Sequence, residues 1–150
     1  MIRILDLKDE VVAREVLELQ REAYRVEADL IGYDRIPPLV ETLEQLKVCK
    51  EFFYGYFEEN ALAGIVSFMI EDNTLDIYRV AIKPQYFSKG IATKLIRYLE
   101  TLDGISRMIV STGKLNRPAT NLYSKLGFCK TGSFIVEESL EIISFEKILT

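Results

Sequence analysis

Pro84-Gln-Tyr-Phe-Ser-Lys-Gly-Ile-Ala92 joins a strand-like run to a helical one, and its residue types could do chemistry. The first backbone N–H groups of a helix have no intrahelical partner, and the helix dipole is positive there. Gly90 keeps a Cβ out of a ligand's path, Ala92 is small, and Lys89 adds a positive charge. Such a turn can hold a pyrophosphate. The same residues also describe a plain strand-to-helix turn with Ser88 as the N-cap. Taken alone, the stretch fits both descriptions.

Other chemistries are closed by composition. The chain has no His, and Cys49 and Cys129 stand alone with no metal-ligand spacing. Ser-His-Asp and Cys-His catalysis are therefore excluded, and no metal site is expected. The formal net charge is −4, with no long run of Lys and Arg, so a nucleic-acid partner is not expected. An anionic ligand would need a locally positive site against that background. The N-terminus, MIRILDLKDE, is acidic early and lacks a long apolar stretch; no signal peptide is expected. No segment approaches ~20 consecutive apolar residues, so no membrane span is expected, and the default location is the cytoplasm.

The elements that must position the turn follow from periodicity. Ile2–Leu7 alternates and reads as a strand. From Lys8 to about Leu30 the pattern is helical, with Val12, Val16, Leu19, Ala23 and Val26 on one face. Gly32 and Pro37-Pro38 break that helix, and Glu41–Val48 reads as a second. Glu51–Glu58, Ala61–Glu71 and Thr74–Lys83 are strand-like and separated by turn signals, which predicts an antiparallel meander. A helix over Lys89–Leu102, a strand over Ser106–Thr112 and a helix over Asn116–Leu126 follow. Phe128–Val136 and Leu140–Leu149, separated by Glu137–Ser139, close the chain as strands. The 150 residues suit one domain, an α/β sheet covered by helices.

Asn116-Arg-Pro-Ala119-Thr-Asn-Leu-Tyr123-Ser-Lys-Leu-Gly127-Phe128 fits N-x-x-A-x-x-x-Y-x-x-x-G-F at every named position. Physically, Asn116 is a good N-cap, Pro118 is tolerated in the first turn, and Gly127 sits where a left-handed C-cap belongs. A well-capped amphipathic helix would show the same details. Combined with Gly90-Ile91-Ala92 at the proper distance upstream, the chain resembles the GNAT acetyltransferase superfamily over nearly its whole length. Phe87 departs from that family's usual Arg or Gln, and Ser88 from its frequent Gly.

The resemblance implies a single domain over residues 1–150. Its sheet is mixed and mostly antiparallel, of about seven strands flanked by about four helices. It implies acetyl-CoA as co-substrate, with no metal. The cofactor would lie against Val80, Ala81 and Ile82 of a kinked strand, and against Phe87, Ser88, Lys89, Gly90, Ile91, Ala92 and Thr93 of the turn. Asn116 and Ala119 would complete the set. It implies direct attack by a primary amine of a small molecule or peptide, with a backbone N–H near Val80 or Ile82 meeting the oxyanion. A lysine-like amine of pKa ~10.4 is neutral in only about one molecule in two thousand at pH 7, so a base helps. Tyr123 matches the family's tyrosine acid, and a core tyrosine would look the same. For the base, Asp76 matches a position where some members carry Glu, and a solvated strand-end carboxylate would look the same. Glu27, Asp29, Asp34 and Glu41 flank the loop Gly32–Leu39 that shapes the acceptor pocket in such proteins. The rival reading is a non-catalytic acyl-CoA binding or sensing module. Homodimers are common among proteins of this fold.

Overall fold

A computed structural model describes residues 1–33, 35–137 and 140–149. The expected carboxylate Asp34, and Glu138 and Ser139 of the expected last turn, lie outside the described residues.

Seven strands form one sheet: β1 (Ile2–Leu5), β2 (Phe52–Glu58), β3 (Ala61–Glu71), β4 (Thr74–Ile82), β5 (Arg107–Gly113), β6 (Cys129–Val136) and β7 (Leu140–Ile148), in the order β1-β2-β3-β4-β5-β7-β6. Every pairing is antiparallel except β4 with β5. The expected meander is β2-β3-β4, and its turns need left-handed backbone at Glu59, Asp72 and Asn73.

Among the described residues, five α-helices cover the two faces: α1 (Glu10–Ile31), α2 (Pro37–Val40), α3 (Leu43–Lys47), α4 (Ile91–Glu100) and α5 (Arg117–Lys125). Four were expected. The additional one is the single turn α2, because Pro37 and Pro38 open a helix as readily as they end one. Leu46 of α3 is fully buried and Leu43 half-buried. Among the described residues no helix is long and apolar enough to cross a membrane.

One core lies between the sheet and α4 and α5, with Leu75, Ile77, Leu95, Leu99, Tyr123 and Phe128 among its members. The other lies beneath α1, α2 and α3, around Val16, Leu19, Leu46, Phe53, Ile65 and Ala81. The aromatic strand residues divide by alternation: Phe53 and Phe68 are buried, while Phe52 and Tyr78 are exposed.

β4 changes sides partway along. Its register with β3 runs Ser67↔Arg79 and then Phe68↔Ile77, which leaves Tyr78 as the extra residue of a bulge. A one-residue offset inverts the pleat. Leu75 and Ile77 face the α4 core before the bulge, and Ala81 faces the α1 core after it. The strand also parts from β5 here. Only Thr74–Ile77 pair with Arg107–Val110, so Val80–Ile82 and Ser111–Gly113 have no partner across that gap.

Candidate active site

Lys83 N–H donates to the Ala63 carbonyl of β3 at 2.9 Å. Alternation from that bond turns the N–H and C=O of Val80 and Ile82 the other way, into the gap left by β5. An extended ligand could pair there as an added strand.

β4 runs through Lys83 and a 3₁₀ turn, Pro84–Tyr86, into α4. Ser88 does not cap the helix. Its φ is 65°, and Gly90, at φ 76°, occupies the N-cap position with no side-chain cap. Space is open where a Gly90 Cβ would stand, so here glycine answers the backbone angle, not a close neighbour. Among the described residues, no backbone N–H from Ser88 to Thr93 has an acceptor. That leaves a row of donors at the positive end of a ten-residue helix. Gly64 of β3 lets α4 sit close: a Cβ there would stand 3.0 Å from Ile91 Cγ2.

Asn116 fixes the start of α5. Its side-chain oxygen accepts from Ala119 N–H at 3.3 Å, its own N–H donates to the Gly113 carbonyl at 3.0 Å, and Nδ2 reaches Thr112 Oγ1 at 3.4 Å. The helix therefore hangs from the end of β5, beside the gap. Its last turn places Tyr123, which is 5% exposed, between Phe128 and Phe145.

Two adjoining cavities meet at this gap. The larger, about 630 Å³, runs from α1 past Val80–Ile82 to Phe87, Ser88, Gly90–Thr93 and the N-terminal half of α5, and reaches Lys125. The smaller, about 120 Å³, lies between the parted strands and is lined by Tyr78, Arg79, Ser111, Thr112 and Tyr123. Tyr24, Glu27, Val80 and Asn116 line both.

Burial pushes the Glu27 carboxyl up to about 7, with the Asn116 side chain pulling weakly the other way. Burial, and then the nearby Glu27 charge, hold the Tyr123 phenol well above the ordinary tyrosine range. Tyr24 is raised by burial and then by Glu27 and Tyr123, while Arg79 and the Val80 backbone amide act in the opposite sense. A carboxyl raised toward neutrality thus lines the same cavity as a phenol held protonated, and such a pair could serve as base and acid.

Of the expected site residues, Tyr123, Val80, Ala81, Ile82, Phe87, Ser88, Gly90, Ile91, Ala92, Thr93, Asn116 and Ala119 all line these cavities. Lys89 and Asp76 do not. The Lys89 ammonium lies over the Tyr86 ring, and Lys94 reaches the Tyr56 hydroxyl at 3.2 Å. Asp76 precedes the bulge, where β4 is still paired with Ile109 of β5, and burial raises its carboxyl there. Among the other carboxylates, Asp29 is exposed, and Glu41 is taken up by Arg79 and Gln20. Of the described members of that set, only Glu27 lines the cleft. Its sequence signal was a carboxylate on the apolar stripe of α1, between Ala23 and Leu30. Tyr24 and Lys125 went unread; Lys125 shares a helix face with Pro118 and Leu122 at steps of four and three.

The sequence also gave no sign of a buried ion cluster beside the site. Arg79, 8% exposed, donates to Glu41 at 2.6 Å and 3.2 Å, to Glu51 at 2.9 Å and 3.1 Å, and to Gln20 at 2.9 Å. Burial works against its charge, but the hydrogen bonds to Glu41 and Glu51 outweigh it, and the guanidinium pKa is raised.

Residues 13–128 match the family described as "Acetyltransferase (GNAT) family". The chain is 32% identical over 146 residues to the UPF0157 protein YqkA of Bacillus subtilis (strain 168), covering 97% of this chain and 43% of that protein. It therefore spans less than half the length of that curated relative. Its fold is similar to that of the PaiA N-acetyltransferase of Thermoplasma acidophilum in complex with coenzyme A. The TM-score is 0.70 at 22% identity, and 96% of each chain is covered. It is also similar in fold to an aminoglycoside 6'-N-acetyltransferase complexed with coenzyme A. That TM-score is 0.77 at 15% identity, over 100% of this chain and 97% of the other.

Proposed function

The chain belongs to the GNAT acetyltransferase family, and we propose that it transfers an acetyl group from acetyl-CoA directly to a primary amine of a small molecule or peptide. The observation that carries this reading is the meeting of Glu27, Tyr123 and the free edge of β4 in one gap, next to the open N-terminus of α4.

The backbone N–H groups from Ser88 to Thr93 bind the pyrophosphate, in place of the basic side chain that Phe87 lacks. Val80 and Ile82 pair with the pantetheine arm and bring the thioester into the gap. The Glu27 carboxylate takes one proton from the acceptor ammonium, and the neutral nitrogen then attacks the thioester carbonyl. The Val80 N–H meets the oxyanion. As the C–N bond forms and the C–S bond breaks, Tyr123 gives its proton to the sulfur. The nitrogen's second proton restores the phenol, and Glu27 releases the first to solvent. The products are the acetamide and free CoA thiol. Asp76 has no part, being held in the paired section of β4.

Incubation with acetyl-CoA and a panel of primary amines tests the reading, with free thiol measured against time. Binding without release across the panel identifies a non-catalytic acyl-CoA module. No binding of acetyl-CoA by calorimetry would sink both readings.

A further inference from the structure

The charged groups of the two cavities are unequally available. Arg79 lines the smaller one, but each of its five N–H groups is directed at an acceptor: Nε at Glu51, Nη1 at Gln20 and Glu41, and Nη2 at Glu41 and Glu51. Two carboxylates surround that one guanidinium, so the cluster offers no net positive charge to a ligand. Lys125 lies at the far end of α5, ~13 Å along the helix from Asn116 at 1.5 Å per residue. Glu27, in contrast, takes part in none of the ion pairs among the described residues. Its carboxylate stands at the gap itself, with the Asn116 side chain and the Tyr24 and Tyr123 hydroxyls as polar neighbours.

We infer that the acceptor is an amine whose reacting nitrogen carries no carboxylate on the same carbon, so that Glu27 receives the ammonium and free α-amino acids are rejected. This rests on the acetyl-transfer reading of the same gap. The chemistry is asymmetric. An ammonium entering the gap gains a counter-ion that no protein cation already occupies. A carboxylate carried on the adjacent atom meets Glu27 as a like charge and loses its hydration, and among the described residues no cation outside an ion pair lines the gap to replace the water. Specificity of this kind comes from the repulsive element as much as from the attractive one. The acceptors so defined are amines of the decarboxylated amino-acid type, and amino acids whose carboxyl is already an amide, such as a peptide N-terminus.

Three matched compounds test this: tyramine, tyrosinamide and tyrosine, with agmatine, argininamide and arginine as a second set. The amide keeps the branch at the reacting carbon and removes only the charge, so bulk and charge are separated. Two measurements are made on the full chain: thiol release with acetyl-CoA, and calorimetric binding of each compound to the CoA-loaded protein. The amine and the amide are expected to exceed the free acid by on the order of 10²-fold in kcat/KM or in affinity. In Glu27→Gln the difference should shrink to a few-fold. Equal or better use of the acid, or binding by none of the six, overturns the inference. Discrimination in binding with no thiol release from any compound would instead uphold the selectivity and overturn the transfer reading.

Discussion

The Tyr123 carbonyl accepts a hydrogen bond from the Phe128 N–H at 3.0 Å, and the rings of the two residues pack with centroids 5.7 Å apart. This is the six-to-one bond that closes a helix through a left-handed residue, here Gly127 at φ 94°. The spacing Y-x-x-x-G-F is therefore a locking device: the cap that ends α5 also fixes the backbone and ring of its phenol. Gly127→Ala forces an L side chain into that φ, with its Cβ 3.4 Å from Lys147. It should cost about 1 kcal/mol or somewhat more in urea unfolding, and turnover should fall with it.

Tyr123→Phe keeps the ring against Phe128 and Phe145 and removes only the hydroxyl. Turnover should drop by ~10²–10⁴-fold, the usual range for a positioned acid. Acetyl-CoA affinity by calorimetry should be unchanged. Full turnover in this variant removes Tyr123 from the mechanism.

As the proposed base, Glu27 should set the pH dependence. A base works when ionised, so kcat/KM should rise with pH and level off above about 7. In Glu27→Gln this rise should vanish along with most of the rate. Stability runs the opposite way. The folded-state pKa lies above the ordinary 4.5, so the protein holds the proton more tightly than the unfolded chain does. That contribution is fully present below 4.5 and is lost as pH rises through about 7. The melting temperature of the wild type should therefore fall relative to Glu27→Gln between these limits, as scanning calorimetry at stepped pH will show.

Asn116→Ala should act twice. Loss of the N-cap bond to Ala119 costs about 1 kcal/mol. Loss of the side chain that lowers the Glu27 carboxyl should also move the rise of the pH–rate profile to higher pH. A lowered stability with an unshifted profile would confine Asn116 to capping.

Arg79→Leu leaves Glu41 and Glu51 buried without their cation. A loss of about 3–5 kcal/mol is expected from urea unfolding. Arg79→Lys should recover only part of it, because one ammonium cannot direct five donors at Gln20, Glu41 and Glu51.

Much of this arrangement was legible in the residues. The strands and long helices follow from alternation and three-to-four spacing, and Asn116 and Gly127 mark both ends of α5 because capping is a local matter. Features that depend on pairing across the sheet were harder to read. That Pro37-Pro38 would start a turn of helix depended on how Arg79 and Gln20 hold the segment from below, through Glu41 and the Pro38 carbonyl. The expected kink of β4 could not be assigned to Tyr78 without its register against Ser67 and Phe68. Asp76 and Glu27 are both acidic residues near apolar ones. Only the parting of β4 from β5 after Ile77 decides which of them the cleft receives.

The bulge at Tyr78 makes the effect of shortening β4 depend on which residue is lost. Deleting that one residue would make Phe68↔Ile77 and Ser67↔Arg79 successive pairs of a regular strand, so Leu75 and Ile77 would keep the α4 side and Arg79 and Ala81 the α1 side. Deleting Val80 instead would leave the bulge in place and turn Ala81 out of the space it fills under α1, toward the α4 core. Loss of Tyr78 should therefore harm folding less than loss of Val80, and what it removes is the local bend beside the gap between β4 and β5.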